Sequence, residues 1–170
     1  MSPSAYIGFG SNLGDRETKF QEALRALECL PKTSLKARSR LYETDPVGLS
    51  DHGPKFLNAV ILLETDLSPR ELIGSMRSIE LTLGKPACHL SDKSRVVDLD
   101  LLLYGKDCFC EDDLEIPHPR MSNRAFVLAP LAELGPNISI PGLERTVEDL
   151  IRLLPEEELA GVKPLDLEHE

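Results

Sequence analysis

Basic residues are scarce in this sequence. Its 170 residues hold 19 lysines and arginines against 29 aspartates and glutamates, a formal net charge of −10 with a pI near 4.9. Nucleic-acid backbones and anionic membrane surfaces are held by clustered lysine and arginine, so both partners are excluded on charge. Any other anionic ligand needs a local cationic pocket. No apolar run approaches the roughly 18 residues of a membrane span, and the opening Met1-Ser2-Pro3-Ser4 lacks the basic and then apolar pattern of a secretory signal. A soluble, cytoplasmic protein is expected. The four cysteines, Cys29, Cys88, Cys108 and Cys110, include no C-x-x-C pair. Even with His89 beside Cys88, their spacing matches no familiar zinc pattern, and reduced thiols account for them. A chain of this length buries about 70% of its unfolded surface without staples. The expected organisation is a single domain over residues 1–154, followed by a loosely held, acidic and proline-interrupted tail over 155–170.

What is present centres on Arg95-Val96-Val97-Asp98-Leu99-Asp100-Leu101-Leu102-Leu103-Tyr104-Gly105. The run reads as a mostly buried strand closed by glycine. Side chains alternate with period two, so Asp98 and Asp100 emerge on one face within about 7 Å of each other. Two like charges that close repel. The pair is tolerable if one carboxylate is protonated, if arginine compensates it, or if divalent cations sit between the two. Hard oxygen ligands suit Mg²⁺, which takes one or two carboxylates and completes its shell with water and substrate phosphates. Arg95 stands where it could meet such phosphates.

The remaining chain supplies a frame. Ala5-Tyr6-Ile7-Gly8-Phe9-Gly10 begins as a strand, and the G-x-G-S-N-x-G that it opens reads as a tight turn, since it lacks the Lys-Ser/Thr of a P-loop and the spacing of a dinucleotide fingerprint. Phe20, Ala23, Leu24, Leu27 and Leu30 form one stripe of a helix that stops at Pro31. Residues 33–44 read as one half-exposed strand and 56–65 as a central one, with a proline- and glycine-rich loop between them of the kind that binds ligands. Asn58, an amide in an apolar strand, needs hydrogen-bond partners, from neighbouring backbone, the commoner source, or from a ligand with donor and acceptor edges.

Ser68-Pro69-Arg70-Glu71 carries a capping box with proline at the first helical position, and Leu72, Ile73, Met76, Ile79 and Leu83 form the buried stripe that follows. Glu80 lies near the end of that helix, where the dipole disfavours an anion; it is either solvated or recruited by a cation. A polar connection over 85–94 leads to the D-x-D strand. After it come a short hairpin, then His118, Arg120 and Arg124 as a cationic cluster in an acidic chain. A helix is expected from Pro130 to Leu134, and another capped by Thr146 with Val147, Leu150, Ile151 and Leu154 inward. The element order over residues 5–104 is strand, helix, strand, strand, helix, strand. That is an α+β, ferredoxin-like βαββαβ arrangement, an antiparallel sheet with two helices on one face and further strands and helices after it.

Four motifs in this order resemble the 6-hydroxymethyl-7,8-dihydropterin pyrophosphokinase family: Tyr6-Ile7-Gly8-Phe9-Gly10-Ser11-Asn12-Leu13-Gly14; Tyr42-Glu43-Thr44-Asp45-Pro46-Val47-Gly48 with Phe56-Leu57-Asn58-Ala59; Arg95-x-x-Asp98-Leu99-Asp100; and Ile116-Pro117-His118-Pro119-Arg120-Met121-x-x-Arg124-x-Phe126-Val127-Leu128. The resemblance implies attack of the pterin hydroxymethyl oxygen on the β-phosphorus of ATP, giving AMP and the pterin diphosphate, a step of folate biosynthesis. It implies two Mg²⁺ ions on Asp98 and Asp100. Arg95, His118 and Arg124 would grip the triphosphate, with Glu80 and Lys85 also on the ATP side. Thr44, Pro46, Val47, Phe56, Asn58 and Phe126 would line the pterin slot, Asn58 reading the ring edge and the two phenylalanines its faces. Arg95, Asp98, Asp100 and Arg124 are the expected catalytic set of a monomer. The 85–94 loop departs from the family pattern, with Ala87, Asp92 and Lys93 where members often carry arginine, an aromatic and glycine. Two other classes share part of the signal. A different Mg²⁺-dependent phosphotransferase or nucleotidyltransferase would keep D-x-D and the arginines without the pterin pocket, and a ferredoxin-like regulatory module would have no use for paired strand aspartates.

Overall fold

The computed structural model describes residues 2–12, 15–44, 55–84 and 97–165. Chain order runs β1 (Ser4–Ser11), α1 (Arg16–Glu28), β2 (Thr33–Arg38), β3 (Tyr42–Thr44), β4 (Phe56–Thr65), α2 (Pro69–Thr82) and β5 (Asp98–Tyr104). Then follow the β6–β7 hairpin (Phe109–Glu111, Leu114–Ile116), a 3-10 turn (Met121–Asn123), α3 (Ala125–Leu134), the short β8–β9 pair (Ser139–Ile140, Arg145–Thr146), α4 (Val147–Arg152), α5 (Glu156–Ala160) and β10 (Val162–Pro164). The main sheet is antiparallel in the order β10-β3-β4-β1-β5, with β2 also on β4. With β2 and β3 taken together as one interrupted strand, β1 to β5 with α1 and α2 keep the ferredoxin-like βαββαβ order expected from the sequence.

Period-two patterning divides the sheet into two faces. Ala5, Ile7 and Phe9 of β1, Leu57, Ala59, Ile61 and Leu63 of β4 and Leu99 of β5 join Phe20, Leu27, Leu72 and Met76 of α1 and α2 in one core. Phe9 and Phe20 meet edge to face at 5.0 Å between centroids, and each fully buried side chain of this size is worth about 1.5–3 kcal/mol. On the other face Val60, Leu102 and Leu103 pack against Leu128 and Leu131 of α3 and Val147 and Leu150 of α4. α3 and α4 cover part of that second face, and polar residues occupy the remainder.

Several local expectations change. Residues 33–44 are two strands on the same side of β4, because Ser39 interrupts them: its N–H donates to the Val60 carbonyl at 2.8 Å and its hydroxyl accepts from the Val60 N–H at 2.9 Å. A side chain replaces one rung of the ladder. The α1 stripe holds for Phe20, Ala23, Leu24 and Leu27, but the helix ends at Glu28 and Leu30 lies beyond it, half-buried. The Ser68–Glu71 capping box forms as read, and Leu83 follows the helix end as its C-cap. α3 begins at Ala125 rather than Pro130, which sits inside it. The ring removes one intrahelical donor there, and burial of Val127, Leu128 and Leu131 holds the helix together regardless.

The tail is also more structured than its composition suggests. α5 and β10 follow residue 155, and Val162–Pro164 extends the sheet by pairing with Tyr42–Thr44. An edge strand with free backbone groups is a ready template, and here the chain's own later segment takes it.

Candidate active site

Backbone register builds the site before any side chain is considered. In β1, Gly10 pairs with Asn58 of β4 on one side and Asp98 of β5 on the other; Gly8 pairs likewise with Val60 and Asp100. Directly paired residues point to the same face, so Asn58, Gly10 and Asp98 form a row across three strands. That row lies on the second face of the sheet. The two glycines leave its middle without side chains. A Cβ added at Gly10 would stand 3.3 Å from Asn58 Oδ1, and one at Gly8 would touch the Leu102 side chain at 3.5 Å. The G-x-G read as a turn is thus strand, and its glycines clear a floor between an amide and a carboxylate pair.

At one end of the row Asn58, 5% exposed, donates its Nδ2 to the Thr44 hydroxyl at 2.8 Å. The partner is a side chain and not the backbone expected for it. Thr44 pairs with Phe56 in the adjoining register, so Thr44, Phe56 and Asn58 are neighbours. Arg16, at the start of α1, reaches across to this end: its Nη1 donates to the Lys55 carbonyl at 2.8 Å and its Nη2 to Glu43 Oε2 at 2.9 Å. It therefore ties the residue before β4 to the strand that carries Thr44. Pro46 and Val47 lie outside the described residues.

At the other end stand Asp98 and Asp100. Burial, and then the Asp98 charge, push the Asp100 carboxyl up to about 6, with Arg77 and Arg124 acting the other way and Glu80 adding a small further rise. This is the like-charge conflict foreseen from the spacing. Its linkage to stability has a definite sign. Below the ordinary carboxylate value of 3.8 Asp100 is protonated in both folded and unfolded chains. From there to about 6 the unfolded chain gives up a proton that the folded one keeps, so ionisation favours unfolding. Urea midpoints of the metal-free protein should therefore lose a contribution between pH about 4 and 6, and Asp100→Asn should flatten that decline. An equal slope in both proteins would contradict the assignment.

The cations approach from the C-terminal side. His118 is tied to β5 by its N–H, which donates to the Leu102 carbonyl at 3.0 Å. Its Nδ1 accepts from the Arg120 N–H at 3.2 Å, leaving Nε2 as the donor of a neutral ring. Burial, then Arg124 and Arg120, hold its pKa below the usual histidine range. Arg124 is the N-cap residue of α3, and its guanidinium carbon lies 5.5 Å from the centroid of the Phe126 ring. Arg120 is exposed. Lys85 and Arg95 lie outside the described residues, as do His89 and the rest of the 85–94 loop.

Glu80 is neither solvated nor at the rim. It is 1% exposed, accepts the Leu99 N–H on Oε2 at 2.7 Å, and accepts Arg77 Nη1 on Oε1 at 2.9 Å. Arg77, Arg16, Gly8 and Gly10 were not legible as site residues. The only sequence signal for Arg77 was its i, i+3 spacing to Glu80 on a helix followed by D-x-D.

A carboxylate pair suited to a divalent cation, a side-chain-free floor and a polar amide end would together suit a flat heterocycle beside a metal-bound polyphosphate. Residues 6–136 match the family model 7,8-dihydro-6-hydroxymethylpterin-pyrophosphokinase (HPPK). The chain belongs to this family. It is 42% identical over 141 residues to the 2-amino-4-hydroxy-6-hydroxymethyldihydropteridine pyrophosphokinase of Pseudomonas aeruginosa, a match spanning 83% of this chain and 86% of that one. With the enzyme of the same name from Bacillus subtilis it shares 42% over 134 residues, 79% of each chain. Among solved structures, a Plasmodium falciparum HPPK-DHPS superposes with a TM-score of 0.71 at 13% identity, over 90% of this chain and 43% of that longer one. At that identity the likeness concerns the HPPK fold alone. No helix among the described residues is long and apolar enough to cross a membrane.

The glycine floor gives this HPPK chain a direct test. Gly10→Val should weaken binding of a pterin by about tenfold or more, the cost of one misplaced side chain in a fitted slot, while Mg-ATP affinity stays within about twofold. Fluorescence titration of each ligand separately reads the split.

Proposed function

We propose that this chain transfers diphosphate from ATP to 6-hydroxymethyl-7,8-dihydropterin on the sheet face floored by Gly8 and Gly10. The observation that carries this reading is the row Asn58–Gly10–Asp98, which places an amide pocket and a paired-carboxylate site on one face, joined by bare backbone. Asn58, fixed by Thr44, reads the pterin edge, and Phe56 and Phe126 cover its faces, with Pro46 and Val47 completing the slot. The ring then lies with its hydroxymethyl group toward Asp98.

Asp98 and Asp100 fit a hard divalent cation: they offer only oxygen ligands on one face, and burial with the neighbouring Asp98 charge raises the Asp100 carboxyl, a conflict that a cation would relieve. Two Mg²⁺ ions bound there would neutralise the triphosphate and make the substrate hydroxyl more acidic. The protein's own part is placement. Arg124 and Arg95 hold phosphate oxygens against negative charge that shifts toward the leaving AMP, with Lys85 as a further cation on the ATP side. His118 donates its Nε2–H to the same group as a neutral ring. The hydroxymethyl oxygen gives up its proton to solvent and bonds to the β-phosphorus while the bond from that phosphorus to the oxygen of the α-phosphate breaks. AMP departs with the electron pair, and no protein nucleophile is needed.

We infer a monomer from the family resemblance, and dependence on ATP fits the cytoplasmic setting read from the sequence. Phosphorus NMR of the protein incubated with the pterin, ATP and Mg²⁺ tests the reaction. AMP and pterin diphosphate should appear together in equal amounts. ADP in their place would mean transfer of a single phosphoryl group and a different enzyme.

A further inference from the structure

Among the described residues β5 is the last strand of its sheet, and no described strand pairs with the backbone groups that point away from β1. Leu99 shows how this edge is closed. In an antiparallel pair, residues alternate between those whose N–H and C=O both face the neighbouring strand and those whose groups both face away. Leu99, opposite Phe9, is of the second kind, and α2 supplies both partners. Glu80 Oε2 accepts its N–H at 2.7 Å, Arg77 Nη1 donates to its C=O at 2.9 Å, and the same Nη1 donates to Glu80 Oε1 at 2.9 Å. The three bonds close a ring around one residue. Asp98 and Asp100, on either side, are the residues whose backbone meets β1 at Gly10 and Gly8.

A carboxylate 1% exposed in the last turn of a helix that has no basic residue in that turn is in an unfavourable place for helix stability. An ordinary i, i+3 surface pair does not demand it. The position makes sense for the strand: residues 98 to 100 are gripped from β1 at the aspartates and from α2 at the leucine between them. A twist of the strand that carried the two aspartates apart would break this ring. We propose that Arg77 and Glu80 are positioning residues which stand in for a missing strand at Leu99 and thereby set the spacing and aim of Asp98 and Asp100 toward a divalent cation and the nucleotide phosphates. The inference rests on the pyrophosphokinase reading for the identity of that ligand. It assigns the carboxylate of Glu80 to Leu99 and Arg77, whereas the sequence resemblance put it on the ATP side.

Outer residues that orient metal-binding groups are worth about 10- to 100-fold in metal affinity. Arg77→Gln and Glu80→Gln should each weaken Mn²⁺-ATP binding by about tenfold or more, read by the electron paramagnetic resonance of free Mn²⁺ and by calorimetry. Pterin affinity, which depends on β3 and β4, should stay within about twofold of the parent. Arg77→Lys, which keeps a donor, should recover part of the loss. Because Arg77 has a half-exposed side chain, its variants are expected to fold. Exchange of the Leu99 amide hydrogen, slow in the parent and faster in Arg77→Gln, supplies a reading independent of any ligand. Parent-like Mn²⁺-ATP affinity in both glutamine variants would overturn the proposal while leaving the enzyme reading intact. A parent chain that binds no Mn²⁺-ATP would overturn both.

Discussion

Asp98→Ala or Asp100→Ala should lower turnover by at least about three orders of magnitude, since each removes several kcal/mol of charge stabilisation at the phosphates. The Asp100 variant should also do something that loss of an ordinary buried residue does not. The folded chain holds that carboxyl up at about 6 against burial and Asp98, so an alanine there relieves a conflict. Above pH 6 the metal-free variant should unfold at a higher urea concentration than its parent, while its activity is gone. Opposite movements of stability and activity mark a group kept for chemistry. Retained turnover in both aspartate variants would remove these residues from the mechanism.

Arg124 carries the second large effect. It occupies the N-cap position of α3 and lies over Phe126, so in the proposed reaction one side chain would serve both the phosphates and the cover of the pterin. Arg124→Ala should reduce kcat/KM by about 10²- to 10³-fold, the range for loss of one charged donor at a site of developing charge. Arg124→Lys keeps the charge but not the flat guanidinium that stacks on an aromatic ring. It should restore part of kcat while KM for the pterin stays raised. A lysine variant with parent values for both constants would reduce Arg124 to a simple counter-charge.

The sequence made the strand aspartates legible because alternation in a β-strand depends on nothing but parity. For β4 the sequence shows only a continuously apolar run with one odd amide; which side chains face the helices is set by the register with β1, and so is the side taken by Asn58. Its partner was not legible, since β3 meets β4 through register set by Ser39 and by the stems that Arg16 holds together. Gly8 and Gly10 were misread for a related reason. A glycine placed for backbone freedom and one placed to leave a surface bare look alike in sequence, and only the neighbours across the sheet separate them. For Glu80 the helix alone allows solvation or recruitment by a cation; Arg77 is that cation, and the strand that also engages the carboxylate is 19 residues further along. Composition suggested a loose tail after residue 155, whereas Val162–Pro164 pairs with the edge strand that carries Thr44.

If the pterin lies on the bare floor as proposed, that floor bears on how this enzyme could escape an antagonist. Resistance to competitive drugs commonly arises when a substitution deletes an atom that the drug touches and the natural ligand does not. At Gly8 and Gly10 there is no side chain to delete, and any replacement adds bulk beside Asn58 or Leu102. A compound whose contacts concentrate on that stretch of main chain, and stay within the outline of the pterin, leaves the gene few single changes that exclude the compound and still admit the substrate.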